Sequence, residues 1–131
     1  MVDWSDIPSF SESEFTCRCG CGATEMDETF IEKLQDLRDR CNFGFKITSG
    51  YRCPEHPIEK SKAEVGRLSA HTTGMAADIS VRGGNAYTLI KHATNMGFTG
   101  LGVSQSGDGR FVHLDILTAD DGFPRPWIWS Y

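Results

Sequence analysis

Apolar residues at Met26, Phe30, Leu34, Leu37 and Cys41 recur at intervals of three and four, which places them on one face of a helix from about Met26 to Cys41. Thr24 and Asp27 stand at its start in the spacing of a capping box. A second stripe, Tyr87, Leu89, Ile90, Ala93 and Met96, predicts a helix capped by Gly84-Asn85 and ended by Gly97. Short strands are predicted over Phe45–Thr48, Met75–Val81, Gly100–Ser104 and Arg110–Ile116. The first of these, followed by Ser49-Gly50, delivers Tyr51 and Arg52 to a loop edge. In the second, Ala77, Ile79 and Val81 face one way, and Ala76, Asp78 and Ser80 the other. Gln105 to Gly109 reads as a glycine-rich hairpin loop between the last two strands. Cys53 to Leu68 has weak periodicity and is expected to be a loop. Residues 1–16 mix acids and serines with Trp4, Phe10 and Phe15, as in a segment laid over the surface and held by its rings. The pattern as a whole predicts an α+β fold: a small, mostly antiparallel sheet with flanking helices on one side.

At 131 residues, the chain has the length of one domain, here 1–131, with 1–22 as a surface-wrapping, cysteine-containing N-terminal segment. Hydrophobic and charged fractions of 39% and 24% exclude a disordered chain, and a net charge of −5 argues against nucleic acid as a partner. No run approaches the roughly 20 apolar residues needed to span a bilayer, so no membrane insertion is expected. The start, MVDWSDIPSF, lacks the basic-then-apolar pattern of a signal peptide. Synthesis in the cytoplasm and a monomeric state are the expectations.

His71, Asp78 and His113 stand out as candidate metal ligands. Two imidazoles and a carboxylate are a common protein set for catalytic zinc, with the fourth position left to water. A turn at Gly74 can bring His71 and Asp78 to one face, His113 comes from a neighbouring strand, and Asp115 shares its face. Each has a plainer reading, since a lone strand histidine is usually a hydrogen-bonded structural residue. Asp78, inside the apolar run MAADISV, needs a compensating partner: a metal, Arg52 or a helix N-terminus.

Four blocks in order resemble a known family: Ser49-Gly-Tyr-Arg-Cys-Pro-Glu-His56, Ser69-Ala-His-Thr-Thr-Gly-Met-Ala-Ala-Asp78, Gly100-Leu-Gly102 leading into Phe111-Val-His-Leu-Asp115, and Trp129-Ser-Tyr131. They are similar to the zinc D-Ala-D-Ala carboxypeptidases and related peptidoglycan peptidases, above all the small bacteriophage-type members. Phe15-Thr-Cys-Arg-Cys-Gly-Cys-Gly22 resembles the cysteine-rich entry of those members. The resemblance implies a hedgehog/D-Ala-D-Ala-peptidase-like fold and Zn2+ held by His71, Asp78 and His113. It also implies that Arg52, and Ser69 with it, binds a substrate carboxylate, the alternative for Arg52 being an ion pair with Glu55 or Asp78. The implied substrate is a peptidoglycan stem peptide, cleaved by a carboxypeptidase or an endolysin-type endopeptidase. The implied place of action is the bacterial cell wall, reached by a phage-encoded or virion-associated protein.

Many family members carry an acid three positions before the last zinc-binding histidine; here that position is Arg110. Asp115 and Asp108 remain as candidate proton acceptors, with Asp115 first, although it serves equally as a carboxylate that orients a ligand. His56 reads as a substrate-facing group or as a turn histidine. A noncatalytic, zinc-containing wall-binding or structural phage module is the alternative function. Cys17, Cys19, Cys21, Cys41 and Cys53 admit a structural zinc site, but Cys-x-Cys-x-Cys lacks the usual two-residue spacing; a disulfide between the amino-terminal group and Cys53 is the other reading.

Overall fold

Five strands, β1 (Lys46–Ser49), β2 (Ala76–Ser80), β3 (Gly100–Ser104), β4 (Phe111–Asp115) and β5 (Trp127–Ser130), form one sheet in the order β1-β2-β4-β3-β5. All neighbours pair antiparallel except β5, which runs parallel to β3 at the edge. With α1 (Glu28–Cys41), α2 (Pro57–Glu64) and α3 (Gly83–Asn95), they make an α+β architecture. The computed structural model describes residues 1–66 and 69–131. No helix among them is long and apolar enough to cross a membrane.

Alternation along the strands sorts the side chains between two faces. Ala77 and Ile79 of β2, Val112 and Leu114 of β4 and Leu101 of β3 enter a core completed by Phe30, Ile31, Leu34 and Leu37 of α1 and by Leu89 and Ala93 of α3. The other face carries Asp78, His113 and Asp115. Cross-strand register sets Asp78 opposite His113, His113 opposite Gly102, and Asp115 opposite Gly100.

The N-terminal segment goes deeper than a surface strap. Ile7, Phe10 and Phe15 belong to the same core, and Phe15 is fully buried against Phe10 and Trp4, with ring centroids 5.6 and 5.4 Å away. Gln35 of α1 anchors it further, accepting from Ser9 N at 3.0 Å and donating to Ser9 Oγ at 2.9 Å. Phe15 also touches the segment after β1. Its carbonyl accepts from Tyr51 N at 2.9 Å, and a Cβ on Gly50 would lie 2.6 Å from Phe15 Cα.

The structure corrects further expectations. The expected loop from Cys53 contains α2, where His56 Nδ1 accepts from Ile58 N at 3.1 Å and Pro57 opens the first turn. Eight residues are too few to display an apolar stripe, which hides this helix from periodicity. Arg67 and Leu68, the end of that expected loop, lie outside the described residues. Helix α1 is capped by Asp27, which accepts from Phe30 N at 2.9 Å, while Thr24 bonds to Thr16 instead. Arg82, not Gly84-Asn85, occupies the N-cap of α3. Finally, β5 was not expected, and α2 borders the sheet face opposite the one covered by α1 and α3.

Because Phe15 is fully enclosed, Phe15→Ala is expected to cost about 3–5 kcal/mol, read as a lowered urea midpoint with an unchanged slope.

Candidate metal centre

His71 opens a 3₁₀ turn (His71–Thr73) closed by Gly74 at φ +76°, where a Cβ would overlap the Glu25 carbonyl. The chain then enters β2, bringing Asp78 under His71 and beside His113. All three are buried. His71 Nε2 lies 3.3 Å and His113 Nδ1 3.0 Å from the same oxygen, Asp78 Oδ1. The outer nitrogens are also engaged: His71 Nδ1 is 2.9 Å from the Gly50 carbonyl, and His113 Nε2 is 2.8 Å from Asp115 Oδ2.

With an ion among the three residues, these contacts would set the tautomers. A carbonyl and a carboxylate only accept, so His71 Nδ1 and His113 Nε2 would then carry the protons and donate. In that state His71 Nε2 and His113 Nδ1 present lone pairs; without an ion, either can instead share a proton with Asp78 Oδ1. One atom from each of the three residues lies within 4.8 Å of the others. Such a group can take a cation among its three inner atoms. Ligands about 2.0–2.1 Å from one zinc ion in a tetrahedron stand about 3.3 Å apart, close to the spacings seen here.

Without an ion, the same groups hold one another through shared protons and charge. Burial pushes the Asp78 carboxyl up, but hydrogen bonds and charge from His113 and His71 outweigh it and hold it well below the usual carboxylate range. Burial pushes His113 down, yet the carboxylates of Asp115 and Asp78 prevail and raise it. Asp115, likewise pushed up by burial, is brought down to about 2 by His113 and Arg125.

Asp115 is fully enclosed. Arg125 grips it as a fork, Nε to Oδ1 at 2.9 Å and Nη2 to Oδ2 at 2.8 Å, and Leu117 N donates to Oδ1 at 3.2 Å. The guanidinium itself lies over the rings of Phe123 and Trp129, 5.2 and 5.1 Å from their centroids. The absence of side chains at Gly100 and Gly102 makes this possible: a Cβ on Gly100 would overlap the Asp115 carboxylate, and one on Gly102 would stand 2.6 Å from the Trp129 indole nitrogen.

The three residues sit on a cavity of about 570 Å³ whose wall includes Arg52, Lys62, Phe111, Arg125, Trp129 and Tyr131. Arg52 lies 3.4 Å from Glu59 Oε1 and 3.9 Å from Asp78 Oδ2, whereas Glu55 pairs with Lys60 at 3.1 Å. Ser69 is close by in sequence, but its buried Oγ has no hydrogen-bond partner among the described residues, as is also true of Glu59 Oε2. His56 is held as the cap of α2 and is not among the cavity-lining residues. Asp108 lines a different cavity, with Arg82 and Arg110, and Arg110 donates to the Gly107 carbonyl at 2.8 Å.

Residues around the site that escaped the sequence reading include Arg125 and Glu59. Arg125 comes from a stretch without periodicity, and its partnership with Asp115 exists only because β5 returns beside β3. Glu59 lies on α2, which was itself unseen. Against known proteins, residues 8–115 match the family model described as Peptidase M15. No curated protein matches the chain.

The depressed Asp115 has a consequence for stability. A carboxylate lowered from 3.8 to about 2 contributes fully above about pH 4 and loses its contribution as pH falls through about 2. In the metal-free protein this amounts to about 2 kcal/mol between those limits. Urea unfolding across that range should therefore show a flatter acid loss for Asp115→Asn than for the parent chain.

Proposed function

The chain belongs to the peptidase M15 family, and on that footing we propose that it is a zinc peptidase cleaving a D-amino-acid-containing bond of bacterial peptidoglycan. The observation that carries this reading is the meeting of three candidate ligand atoms at an open cavity. His71 Nε2, Asp78 Oδ1 and His113 Nδ1 would hold the ion. When bound, zinc supplies Lewis acidity that polarises a carbonyl and makes water nucleophilic near neutral pH.

The protein's own groups do the positioning. The Gly50 carbonyl and the Asp115 carboxylate orient the two imidazoles, the arrangement that fixes ligand geometry and basicity in metal sites. Arg52 presents a guanidinium at the cavity wall, suited to bidentate capture of a carboxylate such as the terminal one of a D-alanyl stem peptide. The aromatic wall of Phe111, Trp129 and Tyr131 offers apolar contact to the remaining substrate. Of the two roles open to Asp115, the geometry supports orientation: His113, the Arg125 fork and Leu117 N already engage both oxygens. The place of action in this reading is the bacterial wall, and a phage-encoded lysin is the setting.

Mass spectrometry of products from a defined muropeptide mixture tests the proposal. The zinc-loaded chain should release terminal D-alanine or split a stem peptide, and chelation or His113→Ala should abolish it. A folded, zinc-containing chain that releases nothing would favour the noncatalytic wall-binding module. Asp115→Asn distinguishes the two roles of that residue. As an orienting group, its loss should weaken zinc about 10- to 100-fold, with turnover largely restored at saturating zinc. As a proton acceptor, its loss would leave affinity intact and cut turnover about 100- to 10,000-fold.

A further inference from the structure

Away from the cavity, the loop that follows Phe15 folds back on the residue after Arg52. Cys17, Cys19, Cys21 and Cys53 each turn a sulfur toward a common point, all four within 4.8 Å of one another. The Sγ separations are 3.4 Å for Cys17–Cys19, 3.7 Å for Cys17–Cys53 and 3.5 Å for Cys19–Cys53. We propose that these four cysteines form a second metal site that holds a structural zinc ion through four thiolates.

Geometry and chemistry agree on this assignment. Thiolates about 2.3 Å from one zinc in a tetrahedron lie about 3.8 Å apart, near the spacings observed. A disulfide would join two sulfurs and leave the others out, whereas each of three sulfurs here is nearly equidistant from the other two, and all five cysteines are free thiols. Backbone amides already point at the sulfurs: Cys53 N donates to Cys17 Sγ at 3.3 Å, and Ala23 N to Cys21 Sγ at 3.4 Å. Such donors favour the thiolate over the thiol. An all-sulfur donor set selects zinc or iron over hard cations.

The loop is shaped for this closure. Gly20 and Gly22 adopt φ +95° and +77°, which turns the chain tightly enough for alternate residues to converge despite the single-residue spacing. Cys17 N donates to the Ala23 carbonyl at 2.8 Å, and the Thr16 and Thr24 hydroxyls bond at 2.7 Å, closing the loop at its base. Cys19 and Cys21 are exposed, so an ion has direct access from solvent. Cys41, the fifth, is not part of the cluster. The site would tie this loop to the segment carrying Gly50 and Arg52, and it stands independently of the peptidase reading.

The test uses the full chain purified under reducing conditions. Elemental analysis should give about two zinc ions per chain. His71→Ala/His113→Ala should retain about one, and so should Cys19→Ser/Cys21→Ser. Cobalt loaded into the histidine double variant should show the strong near-ultraviolet absorption of thiolate-to-metal charge transfer. Two measurements on the unmutated chain guard against misfolding of the variants: zinc should protect Cys19 and Cys21 from maleimide, and chelation should expose them. The proposal fails if the cobalt-loaded histidine variant lacks the charge-transfer band. It fails equally if maleimide labels Cys19 and Cys21 at the same rate with and without metal, or if the intact mass shows these cysteines paired as disulfides.

Discussion

Three ligand atoms turned toward one another inside a protein repel unless a proton or a metal cation lies between them, and that constraint organises this site. Asp78 contributes a carboxylate oxygen, and an ion would draw lone pairs from the two imidazoles, whose outer nitrogens then donate to Gly50 and Asp115. Without those two outward acceptors, the rings would have no partner for their protons away from the ion, and the ligand geometry would be lost. The meaning of the site therefore rests on the Gly50 carbonyl and the Asp115 carboxylate as much as on the ligands themselves.

Both supports are secured by the ends of the chain. Gly50 is pressed against Phe15, whose burial anchors the N-terminal segment to the core, so the carbonyl that orients His71 is placed by apolar packing. Asp115 is held by Arg125, which reaches it from the approach to β5, and Arg125 rests in turn on Trp129 of that strand. The register between β3 and β4 puts Gly100 and Gly102 where bulk would displace the carboxylate or the indole. A site that reads as three residues in sequence is thus a network spanning the N-terminal aromatics and the last strand.

The sequence revealed what depends on local pattern. Periodicity placed α1, α3 and the first four strands, and alternation in MAADISV put Asp78 on the face opposite Ala77 and Ile79, where the structure has it. Elements too short to show a period, or defined only by a distant neighbour, were illegible: α2 has eight residues, and β5 takes its identity from pairing with β3. Arg125 and Glu59 were lost with them, because a charged residue's partner is a fact of tertiary structure. The thiols were undervalued for a related reason. Spacing rules assume an ordinary turn between ligands, whereas positive φ at Gly20 and Gly22 lets closer cysteines converge.

The segment Gly50–Cys53 connects these observations. Within four residues it supplies the carbonyl that orients His71, the guanidinium on the cavity wall, and one sulfur of the thiol cluster. Its backbone bonds at both ends, Tyr51 N to the Phe15 carbonyl and Arg52 N to the His71 carbonyl at 3.2 Å, leave little freedom for independent movement. An ion among the four sulfurs would add a covalent-strength tether at Cys53, next to the residue proposed to capture substrate. With both ions bound, the two sites would divide the work: one would supply Lewis acidity, and the other would hold still the strip of backbone from which the first is oriented.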